Sequence, residues 1–221
     1  MTAVDGLAWT WTIEPPAGWL VVPSTATEPA ESVNAWQGEV VELLLESFLP
    51  GAADESATGP ETEPDAGQVG AVRSSLTQTV KSLVRFADEA ATEGARAMAG
   101  FDLLDRGPVP VLVTVGMSDP TESDDVFMTV LGATGGNPVS PPSIEYPELP
   151  DGDGIQVTRI DIDETTGGAW VTVAAGRRTE LPDMVVDTAL VWRSQDLVLV
   201  PTILEAIVGL LSAVKVTRST Q

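Results

Sequence analysis

The apolar residues of this chain change their period along its length, and they do so in blocks. From Leu7 to Ile13 they alternate, with Leu7, Trp9, Trp11 and Ile13 separated by Ala8, Thr10 and Thr12. From Val33 to Phe48 and again from Val69 to Met98 they recur every third or fourth residue, and from Val109 alternation returns and dominates up to Trp192. Alternation marks a half-buried strand, and the longer spacing marks an amphipathic helix. Parallel strands need a long crossover between each pair, usually a helix, whereas antiparallel strands need only short turns. Helices gathered into two blocks, with turn-linked strands elsewhere, therefore predict an α+β fold. The expectation is a single domain over residues 1–221, with a largely antiparallel sheet packed by two or three helices.

The local signals place the elements. Pro15-Pro16-Ala17-Gly18 reads as a turn that returns the first strand into Trp19–Val22, a hairpin opening the main sheet. A helix starts near Thr27-Glu28-Pro29, carries Val33, Trp36, Val40, Leu44 and Phe48, and stops at Pro50-Gly51. Ala52 to Gln68 is rich in acids, Ser, Thr, Gly and Pro without an apolar period, which predicts an exposed acidic loop. A second helix is predicted from Val69 through Met98 to Gly100. Phe101–Asp105 and Val109–Val115 read as strands, and Asp124–Ala133 as a short helix. Gly135–Pro150 reads as a loop with a short strand at Ser143–Tyr146. A meander follows: a strand at Ile155–Ile162, a turn at Thr165–Gly168, a strand at Ala169–Val173 and a turn at Gly176-Arg177-Arg178. Met184, Val186, Thr188, Leu190 and Trp192 then share one face of a long strand. Leu197–Val200 reads as a last strand before a terminal helix from about Thr202 to Val214. The helix stripe is Ile203, Leu204, Ile207, Leu210, Leu211 and Val214.

Composition excludes more chemistry than it suggests. The 221 residues contain no histidine and no cysteine, and 33 acids stand against 11 bases for a net charge of −22. The usual neutral-pH base, nitrogen and sulfur metal ligands, thiol nucleophiles and disulfides are all ruled out. So acidic a chain repels phosphate backbones and anionic lipid, so neither nucleic acid nor a membrane is expected as a partner. Leu197–Val216 is apolar, but Pro201, Glu205 and Lys215 interrupt it, which argues against a membrane span. Without a basic and apolar leader at Met1–Asp5, the expected compartment is the cytoplasm. Scarce lysine, with only Lys81 and Lys215, and abundant Ala, Val, Gly and Asp fit a GC-rich genome or a halophile.

Several constellations of residues could carry chemistry. Asp151-Gly152-Asp153-Gly154 and Asp161-Ile162-Asp163-Glu164 offer oxygen ligands for Ca²⁺ or Mg²⁺, with Asp161 and Asp163 about 6–7 Å apart on one strand face. The competing assignment is an Asp-Gly turn and a solvated strand edge. Trp36-Gln37-Gly38 matches a Trp-x-Gly turn, but lies within a predicted helix. Gly132-Ala133-Thr134-Gly135-Gly136 is glycine-rich and lacks the Gly-Lys-Ser/Thr ending of a phosphate loop. A Ser–Lys dyad would have to recruit Lys81 or Lys215, both placed on helices. Paired carboxylates could do glycosidase-type work, with walls from Trp9, Trp11, Trp19, Trp36, Trp170 and Trp192, but packing in the core is the simpler use of these rings. Arg177-Arg178, in its predicted turn near Glu180, reads as a surface ion pair. No catalytic, cofactor-binding or metal-ligating residue is assigned.

Pro16-Ala17-Gly18-Trp19, the strand Val109–Val115 and the segment Val191–Val214 occur in an order that resembles the PsbP-like α/β/α sandwich proteins of actinobacteria. The resemblance is one of topology across most of the chain. It implies a non-catalytic interaction or accessory protein, adaptor or chaperone-like, with another protein as partner and self-association as a further option. The alternative is a carboxylate-dependent hydrolase, metal-assisted through Asp151, Asp153, Asp161 and Asp163. No cofactor is expected on the first reading.

Overall fold

The computed structural model describes residues 7–48, 66–101, 107–119, 125–150, 152–163, 165–181 and 183–220. In chain order the elements are β1 (Leu7–Ile13), β2 (Trp19–Val22), α1 (Ala30–Phe48), α2 (Ala66–Thr92), β3 (Arg96–Gly100) and β4 (Val109–Ser118). There follow α3 (Asp125–Val130), β5 (Ser143–Glu145), β6 (Glu148–Leu149), β7 (Gly152–Ile162), β8 (Ala169–Leu181), β9 (Met184–Ser194), α4 (Val200–Leu210) and β10 (Val214–Thr220). The fold is α+β. Two compact units form: Val22–Ala97, and the flanking chain Met1–Val21 with Met98–Gln221.

The flanking unit is built on a sheet of order β2-β3-β4-β9-β8-β7-β5, with β6 also on β7. The pairs β4–β9, β9–β8, β8–β7, β7–β5 and β7–β6 are antiparallel. Register sets the two faces. Val113, Leu190, Ala175 and Gln156 lie opposite one another across four strands, and this row looks toward α4. The neighbouring row, Val191, Ala174 and Val157, looks the other way, toward α3. The stripe of α4 fulfils its apolar pattern: Ile203, Ile207 and Leu210 are buried in one cluster with Val173, Leu190 and Trp192. Each such side chain contributes about 1.5–3 kcal/mol. Gln156 Nε2 donates to the Leu204 carbonyl at 2.6 Å, so the one polar member of its row is satisfied by the helix itself.

The opposite face receives α3, as expected near Asp124–Ala133, through Phe127 and Leu131. Gly176 shows how closely α3 approaches. A Cβ there would lie 2.6 Å from Phe127 Cζ and 2.8 Å from both Leu131 methyls. Gly176-Arg177-Arg178 is therefore not a turn but the middle of β8, and the glycine that imitates a turn signal serves helix–sheet contact. Leu197–Leu199 is a 3-10 turn rather than a strand. Asp196 accepts from the Val198 amide at 3.0 Å, and Pro201 suits the first turn of the helix that follows.

β1 alternates as expected, with Trp9, Trp11 and Ile13 half-buried and Thr10 and Thr12 exposed. It does not join the main sheet. It pairs antiparallel with β10, from Leu7 opposite Thr220 to Ile13 opposite Val214, in a separate two-stranded ribbon. The partner strand lies some two hundred positions away and leaves no local trace. Val214, expected to end the terminal helix, instead opens that strand, Val214–Thr220.

In the unit Val22–Ala97, α1 and α2 bury Val33, Val40, Leu44, Leu76, Val80, Leu83 and Ala87. α2 stops earlier than its apolar period suggests. Gly94 takes φ +77°, and the amides of Gly94 and Ala95 bond to the carbonyls of Ala91 and Ala90 in a Schellman-type ending. Arg96–Gly100 is then strand β3, where Met98 is fully buried. The predicted acidic loop Ala52–Gln68 lies outside the described residues up to position 65, and Ala66–Gln68 instead open α2. The strand predicted at Phe101–Asp105 lies outside them except for Phe101, which forms a bend.

Asp88 on α2 ties down the entry to α1. Its Oδ1 accepts from Ser24 Oγ at 2.8 Å and from the Thr25 amide at 2.6 Å. Burial pushes this carboxyl up, but the hydrogen bonds from Ser24 and Thr25 outweigh burial and hold it below its ordinary value. A carboxyl lowered in the folded state adds stability above its unfolded value, about 3.9, and that stability is lost as pH falls through the folded value. Asp88→Asn is expected to lower the melting temperature at neutral pH and to shrink the further drop on acidification to about pH 3, read by circular dichroism. An acid response identical to that of the parent chain would overturn this role. Ile207→Asp buries an unpaired carboxylate beneath α4 and is expected to abolish cooperative melting of the sheet unit. A variant that still melts cooperatively would show that the stripe is not core.

Candidate functional site

The face of the sheet under α4 is covered unevenly. Beyond Leu210 the helix tightens into a 3-10 turn at Leu211–Ala213, and Val214 then starts β10. The ribbon continues the cover, with Trp11 and Ile13 packed against the main core cluster. Two sheet rows lie past Ala175 and Leu190: Arg177 opposite Thr188, then Thr179 opposite Val186. With Leu181 they line a cleft of about 570 Å³. Its other wall is the ribbon, through Trp9, Thr12, Glu14, Lys215 and Val216.

Arg177 is the polar centre of this cleft. Alternation along β8 sends it to the α4 face, in line with Val173 and Ala175, and it is only 8% exposed. Its Nη2 donates to the Val214 carbonyl at 3.3 Å, at the point where the chain enters the ribbon. Lys215 is exposed and sits opposite Thr12 in register. It is on a strand, not a helix, and the hydroxyls of its strand neighbourhood, Thr12 and Thr217, are threonines. Lys81 is exposed on α2.

Arg178, one residue on, points to the opposite face. Its Nε and Nη2 each donate to Asp187 at 2.7 Å, and its guanidinium lies over Phe127 at 5.4 Å from the ring centre. The partner of the surface ion pair expected at Glu180 is thus chiefly Asp187, directly across in β9.

The glycine-rich segment Gly132–Gly136 has a defined task, and it is the reverse of a phosphate loop. Its carbonyls, not its amides, turn inward: Arg159 Nη1 donates to Gly132 O at 3.0 Å and to Gly135 O at 3.2 Å. Arg159 also forms a two-point ion pair with Asp161. The glycines are required by this wrap. Gly132 and Gly136 take φ of +76° and +64°, and added Cβ atoms would lie 2.8 Å from Arg159 Cδ and 2.5 Å from its Nη2.

The acids weighed as a cation site do not converge. Asp153 and Asp161 stand eight residues apart on the continuous strand β7, about 26 Å at 3.3 Å per residue. Asp161 is taken by Arg159. Asp163 lies past the strand end and caps a turn, accepting from the amides of Thr165 at 2.8 Å and Thr166 at 3.1 Å. Those backbone bonds, Thr166 first, hold its carboxyl below the ordinary value. Asp151 and Glu164 lie outside the described residues. Among those that are described, no three acids gather as a metal centre would require.

The tryptophans divide as packing residues. Trp19 and Trp192 are buried. Trp36 is half-buried inside α1, which runs through Gly38 without a turn. Trp170 carries Arg193 over its ring at 5.1 Å. Trp9 alone among the six lines the cleft. Nothing local in the sequence announces the cleft, because its walls come from β1, β8, β9 and β10. The one available signal was Arg177, a charge that β8 alternation places beside Val173 and Ala175.

No protein-family model matches the sequence, and no curated protein matches it. Among solved structures the chain is similar to LpqN of Mycobacterium tuberculosis, described as involved in cell envelope biogenesis. The TM-score is 0.38 at 8% identity, over 98% of this chain and 86% of that one. No helix among the described residues is long and apolar enough to cross a membrane.

Gly132→Ala forces a Cβ into Arg159 at a positive φ. It is expected to destabilise the sheet unit by about 1–3 kcal/mol, measured by denaturant unfolding. Unchanged stability would show that the Arg159 wrap is not a fixed feature.

Proposed function

We propose that this chain is a non-catalytic accessory protein that works by binding, with another protein as its partner and the cytoplasm as its compartment. The observation that carries this reading is the employment of its partly buried carboxylates. Asp161 is held by Arg159, Asp187 by Arg178, Asp88 by Ser24 and Thr25, and Asp163 by its own turn. Acid–base work without histidine needs two carboxyls facing a shared space. The cleft described above is lined instead by one carboxylate, Glu14, and two cations. The PsbP-like resemblance points to the same class of role, and a chain without cysteine suits a reducing compartment.

Incubation with generic ester, phosphate-ester and glycoside substrates, with and without Mg²⁺ or Ca²⁺, is expected to give no product above the buffer rate. Affinity capture from the native host, followed by reconstitution of the complex from purified components, is expected to yield a defined assembly. Turnover that disappears in Asp161→Asn or Asp163→Asn would overturn the reading in favour of a carboxylate-dependent hydrolase.

A further inference from the structure

We propose that the exposed flank of α3, with the hollow beside it that holds Arg193, docks a segment of another protein that carries a carboxylate next to apolar side chains. The carboxylate would lie on Arg193, and its apolar neighbours on Val126, Val130 and the rim at Trp170. The inference names the surface that the proposed binding role would use, and it rests on that reading.

Arg193 differs from the other arginines in what holds it. Arg159 is paired with Asp161, Arg178 with Asp187, Arg73 with Glu42, and Arg85 with Glu89 at 3.9 Å. Arg193 has neither a hydrogen bond nor an ion pair among the described residues, although the chain carries 33 acids. It is exposed, and its guanidinium lies over the Trp170 ring at 5.1 Å from the centre. Such a contact steadies the side chain without consuming an N–H donor, so the guanidinium fork is both oriented and available. The acid that senses it, Asp163, is occupied in capping its own turn through the amides of Thr165 and Thr166.

The neighbourhood selects the chemistry of the partner. Arg193 and Val130 line one open hollow of about 330 Å³ with Gly132, Arg159, Asp161 and Thr172. Arg159 and Asp161 neutralise each other, so the charge left over is that of Arg193. Thr172 lies opposite Arg193 in register and adds a hydroxyl beside it. A planar fork next to a hydroxyl matches the two oxygens of a carboxylate. A polyanion would be repelled by the rest of a chain of net −22, whereas a lone carboxylate meets one cation. The other half of the surface is apolar. Val126 and Val130 lie one turn apart on α3, beside the buried Phe127 and Leu131, and are 72% and 49% exposed. An apolar ridge that ends on an oriented arginine and a tryptophan has the composition of an interface hot spot. The hollow is too open to enclose a small molecule, which suits the side chain of a docked protein.

The test is selection of short random peptides, displayed on phage, against the immobilised full chain. Enriched peptides are expected to carry Asp or Glu next to Leu, Ile, Val or Phe. Made synthetically and titrated by calorimetry, they are expected to bind about tenfold or more weakly to Arg193→Gln, and likewise to the double variant Val126→Ser, Val130→Ser. Asn or Gln in place of the peptide's acid should cost as much on the parent chain and nothing further on Arg193→Gln, the pattern of a paired contact. All the substituted residues are exposed, so the variants are expected to melt as the parent does. Absence of acidic peptides among those enriched, or undiminished affinity for either variant, overturns the proposal. So does a dimer in sedimentation that the double variant dissociates, which would assign the surface to a second copy of the chain. Failure here beside an intact assembly from affinity capture rejects this surface alone. Turnover in the hydrolytic screen rejects the accessory reading itself, so the two failures are distinguishable.

Discussion

The burial of the α4 stripe on the centre of the sheet is the constraint from which the rest follows. Once Ile203, Ile207 and Leu210 occupy the face of Val173, Leu190 and Trp192, the register of β8 and β9 has no freedom. A slip of one residue would turn that whole face outward. Alternation then decides the fate of every other side chain on these strands. Arg177 and Arg178 are chemically identical neighbours, yet one looks into the cleft and the other closes an ion pair with Asp187 beneath α3. Their difference is a matter of parity, not of sequence context.

Parity also organises the charge. On the α3 face the arginines Arg159 and Arg178 each meet an aspartate in two-point geometry, with side chains one-fifth exposed or less. These pairs fix a loop and a helix against the sheet. Exposed pairs such as Arg85–Glu89 contribute little by comparison. Arg159, Arg177 and Arg178 thus hold defined places within the sheet, while Arg96 and Arg193 are exposed on it.

The sequence was legible where a local pattern had one physical cause. The stripe of α4, the shared face of Met184, Val186, Thr188, Leu190 and Trp192, and the alternation of β4 all appear as written in the residue order. It failed where one residue served two uses. Gly176 carries a turn signal because glycine usually supplies a turn, but here it makes room for Phe127 and Leu131. Val69 to Met98 keeps an apolar period across a helix and into a strand, and Gly94 is the marker that separates them. Leu197–Leu199 has strand composition, but Asp196 and Pro201 commit it to a helix start. The candidate site was least legible of all. Its parts are contributed by four strands from opposite ends of the chain, and no window of sequence contains more than a fraction of it.

The pairing of β1 with β10 has a further bearing on how the protein is made. Leu7 meets Thr220, so the ribbon closes a loop of nearly the whole chain. During synthesis the first strand emerges long before its complement exists, and its half-apolar face must wait uncovered while the meander assembles. The meander is joined by short antiparallel links, but the cleft acquires its second wall only once β10 has been made and has paired with β1. Formation of the cleft is thereby coupled to synthesis of β10, and until then Trp9 and Trp11 lack the strand that pairs with theirs.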